Sequence, residues 1–258
     1  MGPTVLYGPD GAQFLTAAGT RFTGAQFPYG TQMIMHDGRK FRFCIAGATA
    51  LVIGNLIQAA ANVADHVDTT AAANAASTAG TPVRTLTTTL GATLASLNQY
   101  GSGYGVISVT PGAGQVYVFA DTPAVASSGS FVGPLAAGHE IRVALTTTSR
   151  VDLINNPYDN VIQSPITTAT GVAVGVAVVA IAASAYGWLQ TRGIAAILTS
   201  GTVLLGAEVI VPSLTAGAIN AALVTELGTT QSSEVTVGQV QRVAATAAWS
   251  TIFLMIDG

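Results

Sequence analysis

Few side chains in this chain could do chemistry, and their spacing limits what that chemistry could be. The three histidines are scattered: His36 beside Asp37, His66 within Asp65-His66-Val67-Asp68, and His139 beside Glu140. Asp65, His66 and Asp68 combine carboxylates with an imidazole, the residue types of a zinc or general-base site. On a helix, positions i, i+1 and i+3 do not converge on one ion. A polar face near a helix C-terminus, where histidine also suits the macrodipole, is the expected reading. No His-Glu-x-x-His or Cys-x-x-Cys spacing occurs, so neither a metal nor another cofactor is expected. Gly101-Ser102-Gly103-Tyr104-Gly105 has the glycines of a phosphate-cradling loop, but it leads into a strand and no Lys-Ser/Thr follows. A tight turn is expected there instead. Cys44 is the single cysteine, which rules out an intrachain disulfide, and within FRFCIAG it reads as a small buried apolar residue. The twelve acids are spread evenly, with little sign of the dense cleft that glycoside hydrolysis uses, and no Gly-x-Ser-x-Gly elbow exists. The chain is not expected to be an enzyme.

The remaining residues of interest are suited to recognition. Tyr186, Trp188 and Trp249 could line a sugar-binding face, although core or subunit-interface packing is the stronger expectation. Arg192 and Arg150 are expected to anchor strands or subunits through ion pairs or hydrogen bonds, because scarce charges are costly to bury unpaired. Phe14, Phe22, Phe27 and Tyr29 are apolar anchors in a glycine- and proline-rich N-terminal stretch. With Trp188, Arg192 and Trp249 they form the set of candidate interface residues.

Composition narrows the class further. Only 8% of residues are charged and the sole lysine is Lys40, against roughly a quarter charged in ordinary soluble domains. A formal net charge of -3 provides no basic footprint, so direct nucleic-acid binding is not expected. Low like-charge repulsion and much small apolar and hydroxyl surface suit self-association. The opening MGPTVLYGPDGAQFL lacks the pattern of a signal peptide, and Leu6 stands where myristoylation wants Ser or Thr. Gly171 to Leu189 is uncharged, but its valines at 172, 174, 176 and 178 alternate with Ala or Gly. That is the period of a strand and not of a membrane helix.

The elements that would position these residues are mainly β. Residues 1–35 read as an extended arm ordered by lying on something else, or else as an irregular strand pair of the main fold. Residues 36–80 read as a strand, RKFRFCIAG, followed by one short amphipathic helix in Leu51–Val67 with Leu56, Ala60, Val63 and Val67 on its stripe. Residues 81–258 read as a β-rich body, with a hairpin across Pro111-Gly112-Ala113-Gly114 and a turn at Asn155–Asn160. The best domain boundary is placed in TTAAANAASTAGTPV.

The order of NQYGSGYGVISVT, a Gly-rich turn and VYVFAD, then LTTTSRVDLINNPYDNVI, YGWLQTRGIAAIL, a Gly-punctuated run and IFLMID resembles structural proteins of tailed-bacteriophage heads, of the capsid decoration or cement type. The resemblance spans about Leu51 to Asp257. It implies a β-barrel or β-tulip-like body, homotrimers on the capsid surface, the major capsid protein as partner, and synthesis in the host cytoplasm. A major shell component, a tail or fibre protein, and a glycan- or receptor-binding module are the alternatives.

Overall fold

The computed structural model describes residues 5–9, 11–18, 27–166, 169–211, 215–221, 235–245 and 248–257. In chain order β1 (Val5–Tyr7), β2 (Ala17–Ala18), β3 (Gln32–Ile34), β4 (Lys40–Ile45) and β5 (Leu56–Gln58) come first. A second sheet follows, made of β6 (Thr69–Ala71), β7 (Thr85–Thr89), β8 (Tyr104–Val109), β9 (Val116–Val118), β10 (Ser130–Pro134) and β11 (Arg150–Ile154). Then β12 (Ile162–Gln163), β13 (Ala173–Ala177), β14 (Ala185–Leu198), β15 (Glu208–Val211), β16 (Asn220–Ala221), β17 (Val235–Arg242) and β18 (Trp249–Met255) return to the first sheet.

The chain forms two units, one of Gly2–Ala60 with Pro157–Gly258 and one of Ala61–Asn156. The smaller unit is an insertion in the larger. The chain leaves after β5 and returns at β12, and these two strands are antiparallel neighbours, with Gln58 opposite Ile162. The second boundary falls inside the turn predicted at Asn155–Asn160, where the side chains favour bends over ladders. The first falls at Ala60 and not in the stretch after Val67, because Thr69–Ala71 is recruited as β6 into the smaller sheet between β7 and β11.

The smaller unit carries the predicted hairpin, β8 paired with β9. Its core is one cluster in which Tyr100, Phe119 and Phe131 meet edge to face. The larger unit is organised around β14. One edge of β14 pairs with β4, and the other meets β2, β13 and β18 in succession. This larger sheet curls into a half-barrel. Gly193, at φ +87°, helps β14 turn the corner: the register against β4 shifts between Gln190 and Arg192, and a Cβ at 193 would meet Arg39 Cγ at 2.9 Å.

Two expectations need correction. Leu51–Val67 is not an amphipathic helix but contains β5 and a single 3-10 turn, Ala64–His66. All three residues of β5 are buried, Leu56 within one apolar cluster and Ile57 within another. With both faces covered, the period of two disappears from the sequence, and flanking alanines supply a false helical stripe. The described part of residues 1–35 is not an extended arm; it follows the other reading, an irregular strand pair within the main fold. β1 pairs with β3 in parallel and β2 with β14. Glycine and proline there forbid a helix but leave room for two- and three-residue strands, of which β2 finds its partner far along the chain. The Val/Ala run is sheet as expected, as β13 and the start of β14. Among the described residues no helix is long and apolar enough to cross a membrane.

Candidate functional site: an open sheet face

In the larger unit, β14, β18, β17 and β15 run side by side. Alternation sends Ala195, Ile197, Val209, Val240, Ile252 and Leu254 inward to a buried cluster. The intervening residues face the other way. Direct pairing puts Arg192 opposite Met255, Ile194 opposite Phe253, Ala196 opposite Thr251 and Leu198 opposite Trp249. Gln239 continues the Phe253 row on β17, and Glu208 continues it on β15. Arg242 stands opposite Thr251. Trp249 is 50% exposed, Ile194 53% and Met255 39%.

Two hollows indent this face. A groove of about 480 Å³ runs between Trp249, Ile53, Val178 and Ile194. A second of about 630 Å³ is walled by Arg39, Arg192, Gly193, Ile194 and Phe253. Gly54, at φ +74°, allows the Trp249 indole to lie against its backbone, a place where any Cβ would clash with the ring. Asp37 closes on Arg39 at 2.6 Å. Burial pushes the Asp37 carboxyl up, but the Arg39 backbone N–H, its guanidinium hydrogen bond and its charge together outweigh it and hold the carboxyl below its ordinary value. Among the described residues, Arg192 and Arg242 have no ion pair or side-chain hydrogen bond.

The candidate interface residues divide between surface and core. Arg192 and Trp249 lie on the open face. Phe14 is exposed at the end of a 3-10 turn. Phe27, Tyr29 and Trp188 instead join the chain's own aromatic core: Phe27 lies 5.5 Å from Phe43 and 5.6 Å from Trp188, and Tyr29 stacks on Tyr186 at 6.4 Å. Trp188, 4% exposed, presents almost no surface to a second copy. Phe22 lies outside the described residues. Arg150 Nη1 donates to the Thr147 and Ser149 carbonyls of its own segment, and only its Nε, 3.8 Å from Asp68, reaches toward another strand.

The groups considered for chemistry are engaged in structure. His66 is buried, with one ring nitrogen on the Tyr100 hydroxyl and the other 2.9 Å from the Thr93 carbonyl. Thr93 Oγ1 donates to Asp65, and the backbone N–H of Asp68 donates to Asp152. Burial pushes the Cys44 thiol far above its ordinary value, against a weaker pull from the Gly187 backbone, so it stays protonated and inert. Gly101–Gly105 is a turn leading into β8, as expected. Among the described residues, no group of three or more His, Cys, Asp or Glu side chains could hold a metal ion.

Sequence reasoning missed one polar cluster. Arg42 grips Asp257 with two hydrogen bonds, Nε to Oδ2 at 2.8 Å and Nη2 to Oδ1 at 2.9 Å, and donates a third from Nη1 to the Gly30 carbonyl. Gln32 Nε2 and Thr191 Oγ1 complete the carboxylate's shell at 3.2 and 3.4 Å. Burial alone would raise the Asp257 carboxyl, but the Arg42 hydrogen bond and charge, with Lys40 and Gln32, hold it below its ordinary value. The partners stand 215 residues apart, and the only signal was that charges so scarce should be paired.

The chain matches no protein-family model, no curated protein and no solved structure.

Proposed function

We propose that the protein is a structural component of a bacteriophage virion, of the capsid decoration or cement type. It acts by burying surface against the major capsid protein and against its own copies, as a homotrimer on the shell. The observation that carries this reading is the open face of β14 and β18, where Ile194, Trp249 and Met255 stand exposed in a row of paired strands. Contiguous apolar surface of that kind marks association sites more often than isolated exposed residues do. Support also comes from charged groups that are spent on internal pairs: Arg42 with Asp257 fastens β4 to the segment after β18, and Asp37 with Arg39 closes the β3–β4 turn. Neither nucleic acid nor a bilayer is proposed as a direct partner.

Purified protein mixed with undecorated shells should co-sediment and saturate at a multiple of three copies per symmetry site. Ile194→Asp should weaken that binding at least tenfold while leaving the circular dichroism spectrum unchanged. Shells that bind nothing would overturn the reading.

Trp249 favours a second reading. A half-exposed indole beside a groove is the usual element of a carbohydrate-stacking site. On that reading a glycan array gives specific signals that Trp249→Ala removes, whereas the structural role gives none.

A further inference from the structure

We infer that the two hollows on the open face of the larger unit form one binding site for an acidic oligosaccharide, with the Trp249 indole against a sugar ring and the Arg39 and Arg192 guanidinium groups on a carboxylate. The inference rests on the carbohydrate reading of Trp249 and adds to it the charge of the ligand. It does not depend on shell binding.

The hollows are adjacent. Arg39 and Ile194 border both, so Ile194 stands between the groove at Trp249 and the hollow at Arg192. Alternation along β14 puts Arg192, Ile194 and Ala196 on the same side, and Ala196 lies in the wall of the Trp249 groove. From Arg192 to Ala196 is about 13 Å along the strand, at about 3.3 Å per residue. A ligand of a few linked rings spans that length, and a single monosaccharide does not.

Each end offers a different contact. At one end the pyrrole edge of Trp249 lies against Gly54, which fixes the ring while half of the residue stays exposed for stacking. At the other end Arg39 engages Asp37 through Nε alone. Both of its Nη nitrogens, and the whole Arg192 guanidinium, are without a partner among the described residues. Asp37 is the one acid among the described residues that border this hollow, and two guanidinium groups against one carboxylate leave it cationic. Such forks match a carboxylate bidentately.

Gln190 adds an acceptor. It is 1% exposed and borders the Trp249 groove. Its Nε2 donates to the Arg192 and Ile194 carbonyls at 3.1 and 2.9 Å, while Oε1 has no partner among the described residues. Leaving the acceptor of so buried a side chain unmatched is costly, and a ligand hydroxyl supplies the donor. A stacking indole, a hydroxyl acceptor and cationic forks suit a sugar chain that carries a carboxylate. A nucleic-acid strand also stacks, but its anions repeat at every nucleotide, and among the described residues only Arg39 and Arg192 bring cations to the hollows.

A glycan array carrying sialylated, uronic-acid and neutral oligosaccharides, probed with the native chain, should give signals confined to the acidic members. The strongest of these is then titrated by calorimetry. Trp249→Ala should abolish binding. Arg192→Gln should weaken it at least tenfold, with the circular dichroism spectrum unchanged because Arg192 has no partner within the described chain. Added salt should weaken binding by the native chain more than by Arg192→Gln. Val116→Asp, at an exposed position of the other unit, should change nothing. Neutral glycans bound through Trp249 and indifferent to Arg192→Gln would overturn the inference and leave the carbohydrate reading standing. Acidic signals indifferent to Arg192→Gln would overturn it too, as would a single-stranded oligonucleotide bound through these residues in preference to any glycan. An array silent throughout would sink both the inference and the carbohydrate reading.

Discussion

Asp257 shows how a single carboxylate can fasten a chain with little charge. It links β4, through Arg42, to the segment after β18, and it accepts from Gln32 of β3 and Thr191 of β14. A bidentate, partly buried pair of this kind is worth more than an exposed one. Asp257→Asn should cost about 1–2 kcal/mol near neutral pH, read as a lower midpoint in urea. The pH dependence has a definite sign. The folded carboxyl sits below its ordinary value of 3.8, so its contribution is fully present above that pH and is lost as pH falls through the folded value. The native chain and Asp257→Asn should therefore converge in stability as pH falls from 3.8 through the lower folded value. A gap that stayed constant down to pH 2 would show that the charge is not what matters.

Among the elements, β5 separates the two readings of Leu51–Val67 most sharply. A helix with Leu56, Ala60, Val63 and Val67 on its buried stripe leaves Ile57 off that stripe. In the strand Leu56 and Ile57 are both completely buried, while Val67 is 38% exposed. Leu56→Ala and Ile57→Ala should each cost about 2–5 kcal/mol, and Val67→Ala well under 1 kcal/mol. Chemical denaturation of the three variants decides it, and an Ile57→Ala no worse than Val67→Ala would contradict the strand. The same element explains why the chain can be interrupted where it is. β5 and β12 are paired neighbours, so their ends stay together whatever connects them.

That connection defines the molecule as a whole. Each unit has its own sheet and its own apolar core. Replacing Ala61–Asn156 with a short Gly/Ser linker should leave the larger unit folded, with a midpoint within about 5 °C of its transition in the full chain. The excised segment should melt cooperatively by itself. Nuclear magnetic resonance spectra of the two pieces, overlaid on the full chain, provide the check. Collapse of the larger unit's spectrum would mean that its core depends on the insertion.

What the amino acids determined by themselves is the β character, and with it β4, the β8–β9 hairpin, the turn at Asn155–Asn160 and the burial of Cys44. Each depends on local alternation or on the turn chemistry of Asn, Gly and Pro, which is written within a few residues. Trp249 was likewise legible as a candidate, though not the face it stands on. Tertiary structure decided the rest, because the rest is pairing over long separations. It made Leu56–Gln58 a strand by covering both faces, drew the described N-terminal residues into a sheet, and set Asp257 on Arg42. It sent Trp188 inward and Trp249 outward, although both are tryptophans in strands of similar pattern. Aromatic neighbours at Phe43 and Tyr186 cover the first. Within the described chain, the second lies on a sheet face that remains open.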